Sequence, residues 1–405
     1  MITEQARKMQ VIVREYEAEK DLAGAEAVEL SCEVGQSGAV SIFTDLLGDP
    51  TCRVRHSPAF LMLVAETVGP KKEIVGLIRG CVKTITCGKR APRPAAAAAA
   101  AVAIYTKAAC IVGLRVSPRY RRMGVGLQLV QQMEDWFRSH GAEYAYMATD
   151  KDNEASLSLF TGRCGYTKFR TPSLLVQPVF AGHRLPLRRT AIVIHLSPAD
   201  AETLYRRRLS TVEFFPRDID SILRNPLSLG TFLALPSGYS WANLDSFLAK
   251  PPDSWAVLSI WDTKSLFRLE VRGVSLLRRV LAWTTRVLDR SVPWLRIPSF
   301  PNIFRPFGGY FLYGLGGEGP SSASLMRVLC SHAHNMARAG GCGIVATEVT
   351  ACEPFMPGIP YWQRLSIDKD FWCIKRLAED YSDGAVGDWT RSAPASSIFV
   401  DPREV

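Results

Sequence analysis

The residues best suited to chemistry lie in one short segment, RVSPRYRRMGVGLQLV, at positions 115–130. Two arginines, Arg121 and Arg122, precede Gly124 and Gly126, and the apolar spacing beyond them predicts an amphipathic helix. Glycines at such a turn leave consecutive backbone N–H groups unobstructed, and the N-terminus of a helix favours negative charge. The spacing therefore predicts that this turn binds phosphate oxygens.

The turn alone is too weak to hold a phosphorylated ligand. A helix N-terminus contributes about 0.3–1 kcal/mol per anionic group, whereas micromolar binding needs about 8 kcal/mol. Further contacts along the length of the ligand must supply the difference.

Strands and helices alternate around this turn. In the first half, strands are predicted over 11–16, 60–66, 74–83, 109–116 and 142–150, with helices over 124–139 and 153–164. The second half repeats the order of strand, capped helix, strand hairpin, glycine turn, long helix and strand. This repeat predicts an α/β protein built as a tandem of two related domains.

The boundaries follow from composition. The first domain is predicted over 1–183 and contains an alanine- and proline-rich insertion at 89–103, while the second domain spans 184–380. Residues 381–405 are rich in Ser, Ala, Gly and Asp and are predicted to form a flexible tail.

Bulk composition narrows the class of protein. The chain has 405 residues, of which 47% are hydrophobic and 22% charged, and it lacks both a signal-like start and an apolar run of about 20 residues. An intracellular, soluble protein without a membrane partner is expected. The ten cysteines form no CxxC pair, and His332 and His334 point to opposite sides of a predicted helix, so no metal site is expected.

The net charge of +10 favours anionic partners but is dispersed along the chain. The longest run of basic residues is Arg206, Arg207 and Arg208, which is too short to be a strong nucleic-acid signal. A nucleic-acid-binding module is therefore the weakest of the readings, and direct binding to nucleic acid is not expected.

The order of these motifs resembles the GCN5-related N-acetyltransferase (GNAT) superfamily: a strand ending at Val116, the Arg121 to Gly126 turn, an amphipathic helix, a strand, and a second helix opening at Asn153. Longer phrases, among them GLRVSPRYRRMGVGLQLV, YMATDKDNEASLSLFTGRCGY and FRPFGGYFLYGLGGEGP, are similar to the plant hookless-type N-acetyltransferases. The resemblance implies tandem GNAT-like domains, each a mixed, mostly antiparallel sheet flanked by helices, with the second one degenerate.

The resemblance also implies that the protein uses acetyl-CoA. Main-chain groups of one strand would pair with the pantetheine arm, the turn would hold the pyrophosphate, and the second helix would line the reactive end. The residues so implicated are Leu114, Arg115, Val116, Arg121, Arg122, Met123, Gly124, Val125, Gly126, Asn153 and Phe160.

Two departures from the family pattern concern catalysis. Phe160 stands where the superfamily usually has a proton-donating tyrosine, so Tyr166, water or the substrate ammonium must protonate the departing thiolate. Cys110, eleven residues before Arg121, stands where the founding histone acetyltransferases carry a glutamate base. Glu66, at the end of a predicted strand, is the candidate base.

The second domain departs further, because its turn lacks the arginine and places Glu318 at the helix start, where a carboxylate repels phosphate. We expect this half not to bind CoA in the standard way. The resemblance implies an enzyme that acetylates protein amines, histones being one candidate acceptor, in the nucleus and in plant growth regulation. The alternative is an acyl-CoA-binding scaffold with little or no turnover; whether the chain forms a homo-oligomer is left open.

Overall fold

The structure is a computed structural model that describes residues 10–32, 41–90, 103–187, 190–296, 298–367, 370–380 and 388–405. The first half comprises β1 (Val11–Glu15), α1 (Ala18–Ser31), β2 (Ser41–Asp45), β3 (Ala59–Thr67), β4 (Ile74–Arg90), β5 (Ala103–Val116), α2 (Val125–Ser139), β6 (Tyr144–Thr149), α3 (Glu154–Gly162), β7 (Thr167–Arg170) and β8 (Ser173–Pro178). The predicted insertion at 89–103 lies outside the described residues except at its ends, where β4 stops and β5 begins.

The second half comprises β9 (Ala191–Leu196), α4 (Pro198–Arg208), α5 (Ile219–Leu223), β10 (Ser228–Pro236), α6 (Leu244–Ala249), β11 (Trp255–Asp262), β12 (Arg268–Arg272), α7 (Leu276–Ser291), β13 (Gly309–Glu318), α8 (Ser322–Ala339), β14 (Ile344–Val349) and β15 (Phe371–Arg376). No helix in the described ranges is both long and apolar enough to cross a bilayer.

Two large mixed sheets organise the molecule. A seven-stranded sheet has the order β1-β3-β4-β5-β6-β15-β7, and a six-stranded sheet has the order β8-β14-β13-β11-β10-β9. In each sheet the described pairs are antiparallel apart from one central parallel pair, β5 with β6 and β13 with β14. The predicted α/β class and tandem architecture are confirmed.

The two halves exchange one strand each. β15, from the second half, lies between β6 and β7, while β8, from the first half, pairs with β14. A single cut near residue 183 therefore does not separate the sheets, because each sheet is completed by the other half of the chain.

A repeated irregularity supports the internal repeat. The register between β4 and β5 shifts at Gly113, and the register between β11 and β13 shifts at Gly314. Both glycines have positive φ, +77° and +62°. Each bulge stands in the strand that precedes the long helix of its half, α2 or α8.

Residues 388–405 differ from the predicted flexible tail, whose first part, 381–387, lies outside the described residues. Among residues 388–405, Trp389 is fully buried, and Asp401 and Arg403 are only 1% and 2% exposed. Trp389 donates to Glu213 at 2.7 Å, and Arg403 pairs with Asp401 at 2.7 Å and Asp218 at 2.6 Å. The segment is polar, but the charges of Asp401 and Arg403 are paired inside the protein, while Arg391 remains exposed.

Candidate functional site

The site begins where the two parallel strands of the first sheet separate. β5 pairs with β6 only from Ala108 to Ile111, opposite Tyr144 to Met147. Further along, β5 continues beside β4 while β6 continues beside β15. Ala148 is exposed although it lies in a central strand of a seven-stranded sheet. The separation therefore opens a gap in the middle of the sheet.

A β-bulge turns β5 along one side of this gap. Leu77 pairs with Arg115 and Arg79 pairs with Val112, so the two residues between them on β5 oppose one residue of β4. A bulge leaves its extra residue outside the ladder and bends the strand. Beyond the bulge, no strand among the described residues pairs with the edge of β5 that faces away from β4, so a ligand can approach the main chain along this edge.

The predicted glycine turn connects β5 to α2. Arg122 and Gly124 have φ of +62° and +86°, and α2 starts at the next residue, Val125. Arg121 Nε donates to the carbonyl oxygen of Val116 at 3.2 Å, which ties the turn to the end of the strand. A Cβ added at Gly124 would come within 4 Å of one atom only, Gln128 Nε2 at 3.9 Å. The turn is open and basic, as phosphate binding requires.

Gly126 brings the first turn of α2 close to the neighbouring elements. A Cβ built on it would lie 3.4 Å from Leu159, 3.7 Å from Val116 and 3.9 Å from Leu114. These residues belong to α3 and to the end of β5. The mouth of the gap is therefore narrow here, and apolar side chains of α3 and β5 border it.

The predicted strand residues lie at the edge of the gap, but one side chain is engaged elsewhere. The main chain of Arg115 and Val116 pairs with Leu77 and Gly76 of β4. The Arg115 guanidinium lies 3.4 Å from Glu29, which also pairs with buried Arg79 at 2.6 Å. Arg115 thus contributes backbone to the site, and its side chain is directed to Glu29, which it shares with Arg79.

Asn153 and Phe160 lie on the opposite side of the gap. Asn153 caps α3, and its side-chain oxygen accepts from the backbone N–H of Ser156 at 3.1 Å. Phe160 is 1% exposed, and its ring meets that of Tyr166 edge to face at 5.2 Å. The structure therefore gathers the turn, the end of β5 and α3 around one opening.

Tyr166 lies in the core under α2. It is 2% exposed, and its hydroxyl has no hydrogen-bond partner among the described residues. Burial, together with the neighbouring Glu134 carboxylate, raises its pKa well above the usual range. Glu134 is nine residues beyond the start of α2, about 14 Å along the helix axis. The phenol is therefore far from the glycine turn.

Glu66 lies on β3, two strands from β5 on the side away from the gap. It pairs with Arg14 at 2.6 Å and with Lys72 at 3.7 Å. Its strand, β3, is separated from β5 by β4, which corresponds to roughly 10 Å. The structure does not bring Glu66 and Tyr166 together, and the Glu66 carboxylate is held in ion pairs on β3, away from the gap.

Two carboxylates that the sequence analysis did not single out lie near the gap. Glu404 accepts from the Tyr146 hydroxyl at 2.7 Å and pairs with Lys83 at 2.6 Å. Glu348, on β14, accepts from the indole N–H of Trp372 at 2.8 Å. Both are more than 200 residues from β5 in the chain, so no local pattern could have associated them with it.

Two carboxyl groups on this side of the gap, Glu348 and Asp370, have raised pKa values. Burial, and secondarily the Asp370 carboxylate, raises the pKa of Glu348 to about 8. Burial, and secondarily Asp150, raises the pKa of Asp370 to about 7. Asp370 and Asp150 adjoin the paired residues Phe371 and Thr149, beyond the end of β6. Glu348 is therefore largely protonated near neutral pH, and the groups placed to attract a cation are Asp370 and Asp150.

The corresponding turn in the second half is covered by the protein itself. A Cβ at Gly317 would lie 3.2 Å from Phe355, and one at Gly358 would collide with the backbone of Ala323 at the start of α8. Glu318 pairs with Arg208 at 3.0 Å. The chain around 355–358 thus occupies the position that is open in the first half.

These features define an acyltransferase of the GNAT type, and comparison with known proteins agrees. The profile of the "Acetyltransferase (GNAT) family" matches residues 50–166. A protein of Arabidopsis thaliana named "Probable N-acetyltransferase HLS1" is 59% identical, over 97% of this chain and 99% of that protein. The "Acetyl transferase GW6a" of Oryza sativa subsp. japonica is 40% identical over 98% of each chain. The chain belongs to the GNAT family of acetyltransferases.

A solved structure shows the same fold over both halves. The N-myristoyltransferase of Saccharomyces cerevisiae with bound myristoyl-CoA superimposes with a TM-score of 0.54 at 9% identity, covering 92% of this chain and 79% of that one. Membership of the family, together with the open basic turn, indicates an acyl-CoA as the group donor.

Proposed function

We propose that this protein is an acetyl-CoA-dependent N-acetyltransferase that acts on protein amines. The observation that carries the proposal is the open gap between β5 and β6, which ends beside the unobstructed turn at 121–126. Acetyl-CoA fits such a site because one end of it is a pyrophosphate and the other is a linear amide-containing arm. In the reaction, the amine nitrogen bonds to the thioester carbon, the carbon–sulfur bond breaks, and the thiolate gains a proton.

The residues proposed to hold the donor are those gathered around the opening. Backbone N–H groups of the turn, from Arg121 to Gly126, receive the pyrophosphate. Main-chain groups of Leu114 to Val116 pair with the amide arm, and Asn153 lines its far side; Phe160, proposed from the resemblance, is buried in the core against Tyr166 and supports this wall from behind. A backbone N–H at the bulge is placed to stabilise the oxyanion that develops on the thioester carbonyl.

The source of the proton for the thiolate follows from the position of Tyr166. Because its phenol lies in the core under α2, we favour the substrate ammonium over Tyr166 as the proton donor. A lysine of ordinary pKa near 10.4 is neutral only about once in a thousand at pH 7.4. The acceptor therefore reaches the site as an ammonium cation. It must lose one proton to become a nucleophilic amine before it attacks, and the proton that goes to the thiolate leaves the nitrogen afterwards.

The acceptor proposed is a lysine side chain or an N-terminus of a basic protein. Asp370 and Asp150 adjoin the paired ends of β15 and β6 and supply local negative charge that the overall charge of +10 does not reveal, whereas Glu348 is largely protonated near neutral pH. A histone tail is the candidate that this charge pattern favours. Nuclear location and a role in plant growth are proposed on family resemblance alone, and a fluorescent fusion in plant cells tests the former.

The test combines binding and transfer in one sample. The purified protein is titrated calorimetrically with acetyl-CoA, and histone and N-terminal peptides are then added and analysed by mass spectrometry. A gain of one acetyl group on a peptide supports the proposal. Binding without transfer would support the scaffold alternative, which the phenylalanine at position 160 favours. Absence of binding would remove both.

Self-association is also proposed. α7 and the residues after it expose large apolar side chains, including Leu276 at 77%, Trp283 at 59% and Trp294 at 72%. Large exposed apolar surfaces mark interaction sites, and a second copy presents a matching apolar face. Trp283→Glu should lower the mass measured by sedimentation, while Leu187→Glu, at an exposed leucine elsewhere, should not. An unchanged mass in the α7 variant would refute this surface.

A further inference from the structure

The first half lacks a carboxylate where acetyl transfer needs one. Cys110 of β5 occupies the position at which the founding histone acetyltransferases carry a glutamate. In the sheet, Cys110 pairs with Cys81 of β4 on one side and Tyr146 of β6 on the other. These three residues are neighbours across adjacent strands, one position before β5 and β6 separate. A group packed on their side chains would therefore lie next to the gap.

Glu404 covers it. Its Oε1 accepts from the Tyr146 hydroxyl at 2.7 Å, lies 3.7 Å from the Cys81 sulfur and pairs with Lys83 Nζ at 2.6 Å. The Glu404 side chain keeps 10% of its surface exposed. All its described side-chain contacts go to Oε1, so within the described part of the chain Oε2 is left without a hydrogen bond.

The position of Glu404 is fixed by other residues. Asp401 pairs with Lys83 at 2.9 Å and with Arg403 at 2.7 Å, and Arg403 pairs with Asp218 at 2.6 Å. These buried pairs anchor the end of the chain without Glu404. Glu404 adds to this anchor through Oε1, which contacts Lys83 and the Tyr146 hydroxyl, while its Oε2 is left for the acceptor amine.

We propose that Glu404 replaces the missing strand glutamate and acts as the general base for the acceptor amine. The inference rests on the proposed acetyltransferase function. One proton of the substrate ammonium passes to Glu404 Oε2, the free amine attacks the thioester carbon, and the carbon–sulfur bond breaks. The second proton leaves the nitrogen and ends on the CoA sulfur. Glu404 then returns its proton to solvent.

The variant that tests this is Glu404→Gln, which keeps the size and the acceptor oxygen but cannot take a proton. We expect kcat to fall about 10²- to 10⁴-fold, the range for loss of a general base. Acetyl-CoA affinity and the melting temperature should stay close to those of the unchanged protein. Glu353→Gln, at a second buried carboxylate of the second half, serves as the matched control and should keep its kcat.

A second variant separates chemistry from structure. Glu404→Ala should regain part of its kcat when formate is added, because formate can occupy the vacated space and accept the proton. A merely structural carboxylate would not respond in this way. Transfer by Glu404→Gln within about threefold of the unchanged protein, with the same pH profile, would overturn this inference and leave the proposed function standing. Failure of the unchanged protein to transfer acetyl at all would overturn both.

Discussion

Replacing Gly126 with valine should separate donor binding from folding. The residue lies in the first turn of α2, and its added Cβ would already be 3.4 Å from Leu159 and 3.7 Å from Val116. The two γ-carbons of valine would extend beyond this point into the mouth of the gap. They would cover the backbone N–H groups to which the pyrophosphate is proposed to bind.

The magnitude follows from the contacts that would be lost. A hydrogen bond to a charged group contributes about 1.5–3 kcal/mol, so blocking two of them costs about 3–6 kcal/mol. This corresponds to a loss of affinity of roughly 10²- to 10⁴-fold. Stability should change little, because glycine within a helix is itself unfavourable by about 0.5–1 kcal/mol relative to alanine and no positive φ is involved at position 126.

The assay is calorimetric titration with acetyl-CoA beside urea unfolding of the same preparation. The matched control is Gly162→Val. Gly162 is also a helical glycine, the last residue of α3, but its added Cβ would meet nothing within 4 Å. The control should bind acetyl-CoA normally. Unchanged affinity in Gly126→Val, with the fold intact, would refute the assignment of the turn.

Three further substitutions test the buried charges and the phenol. Lys83→Met should lower the free energy of unfolding by about 3–5 kcal/mol, because Asp401 and Glu404 would be left without their ammonium; a loss below about 1 kcal/mol in urea unfolding would contradict this. Glu348 binds its proton more tightly in the folded state, its pKa rising from 4.5 to about 8, so its contribution to stability is lost as pH rises through that window. Glu348→Gln should therefore stabilise the protein more at pH 8.5 than at pH 5, and the same effect at both values would refute the shift. Tyr166→Phe should keep kcat within about twofold, since the hydroxyl lies in the core; a fall of tenfold or more would make Tyr166 the proton donor after all.

The sequence by itself determined the parts of the site that are local. The Arg121 to Gly126 turn could be predicted because positive φ, an open backbone and a helix start all depend on residues adjacent in the chain. The tandem α/β architecture followed from the order of the elements, because strand and helix periodicity are properties of short segments. The exchange of β8 and β15 could not be predicted, since pairing between distant strands leaves no local signature.

Only the tertiary structure decided which ionisable groups meet at the gap. Glu66 and Tyr166 lie near the motif in sequence. Glu66, on β3, is nevertheless paired with Arg14 of β1, and Tyr166 is buried under α2. The sequence predicts that Glu404 lies in a flexible tail, because segments of polar composition are ordinarily solvated. In the fold, Lys83 from β4 pairs with Glu404, and Arg403 pairs with the neighbouring Asp401. Charges can be buried only where a partner is supplied, and the fold determines where that is.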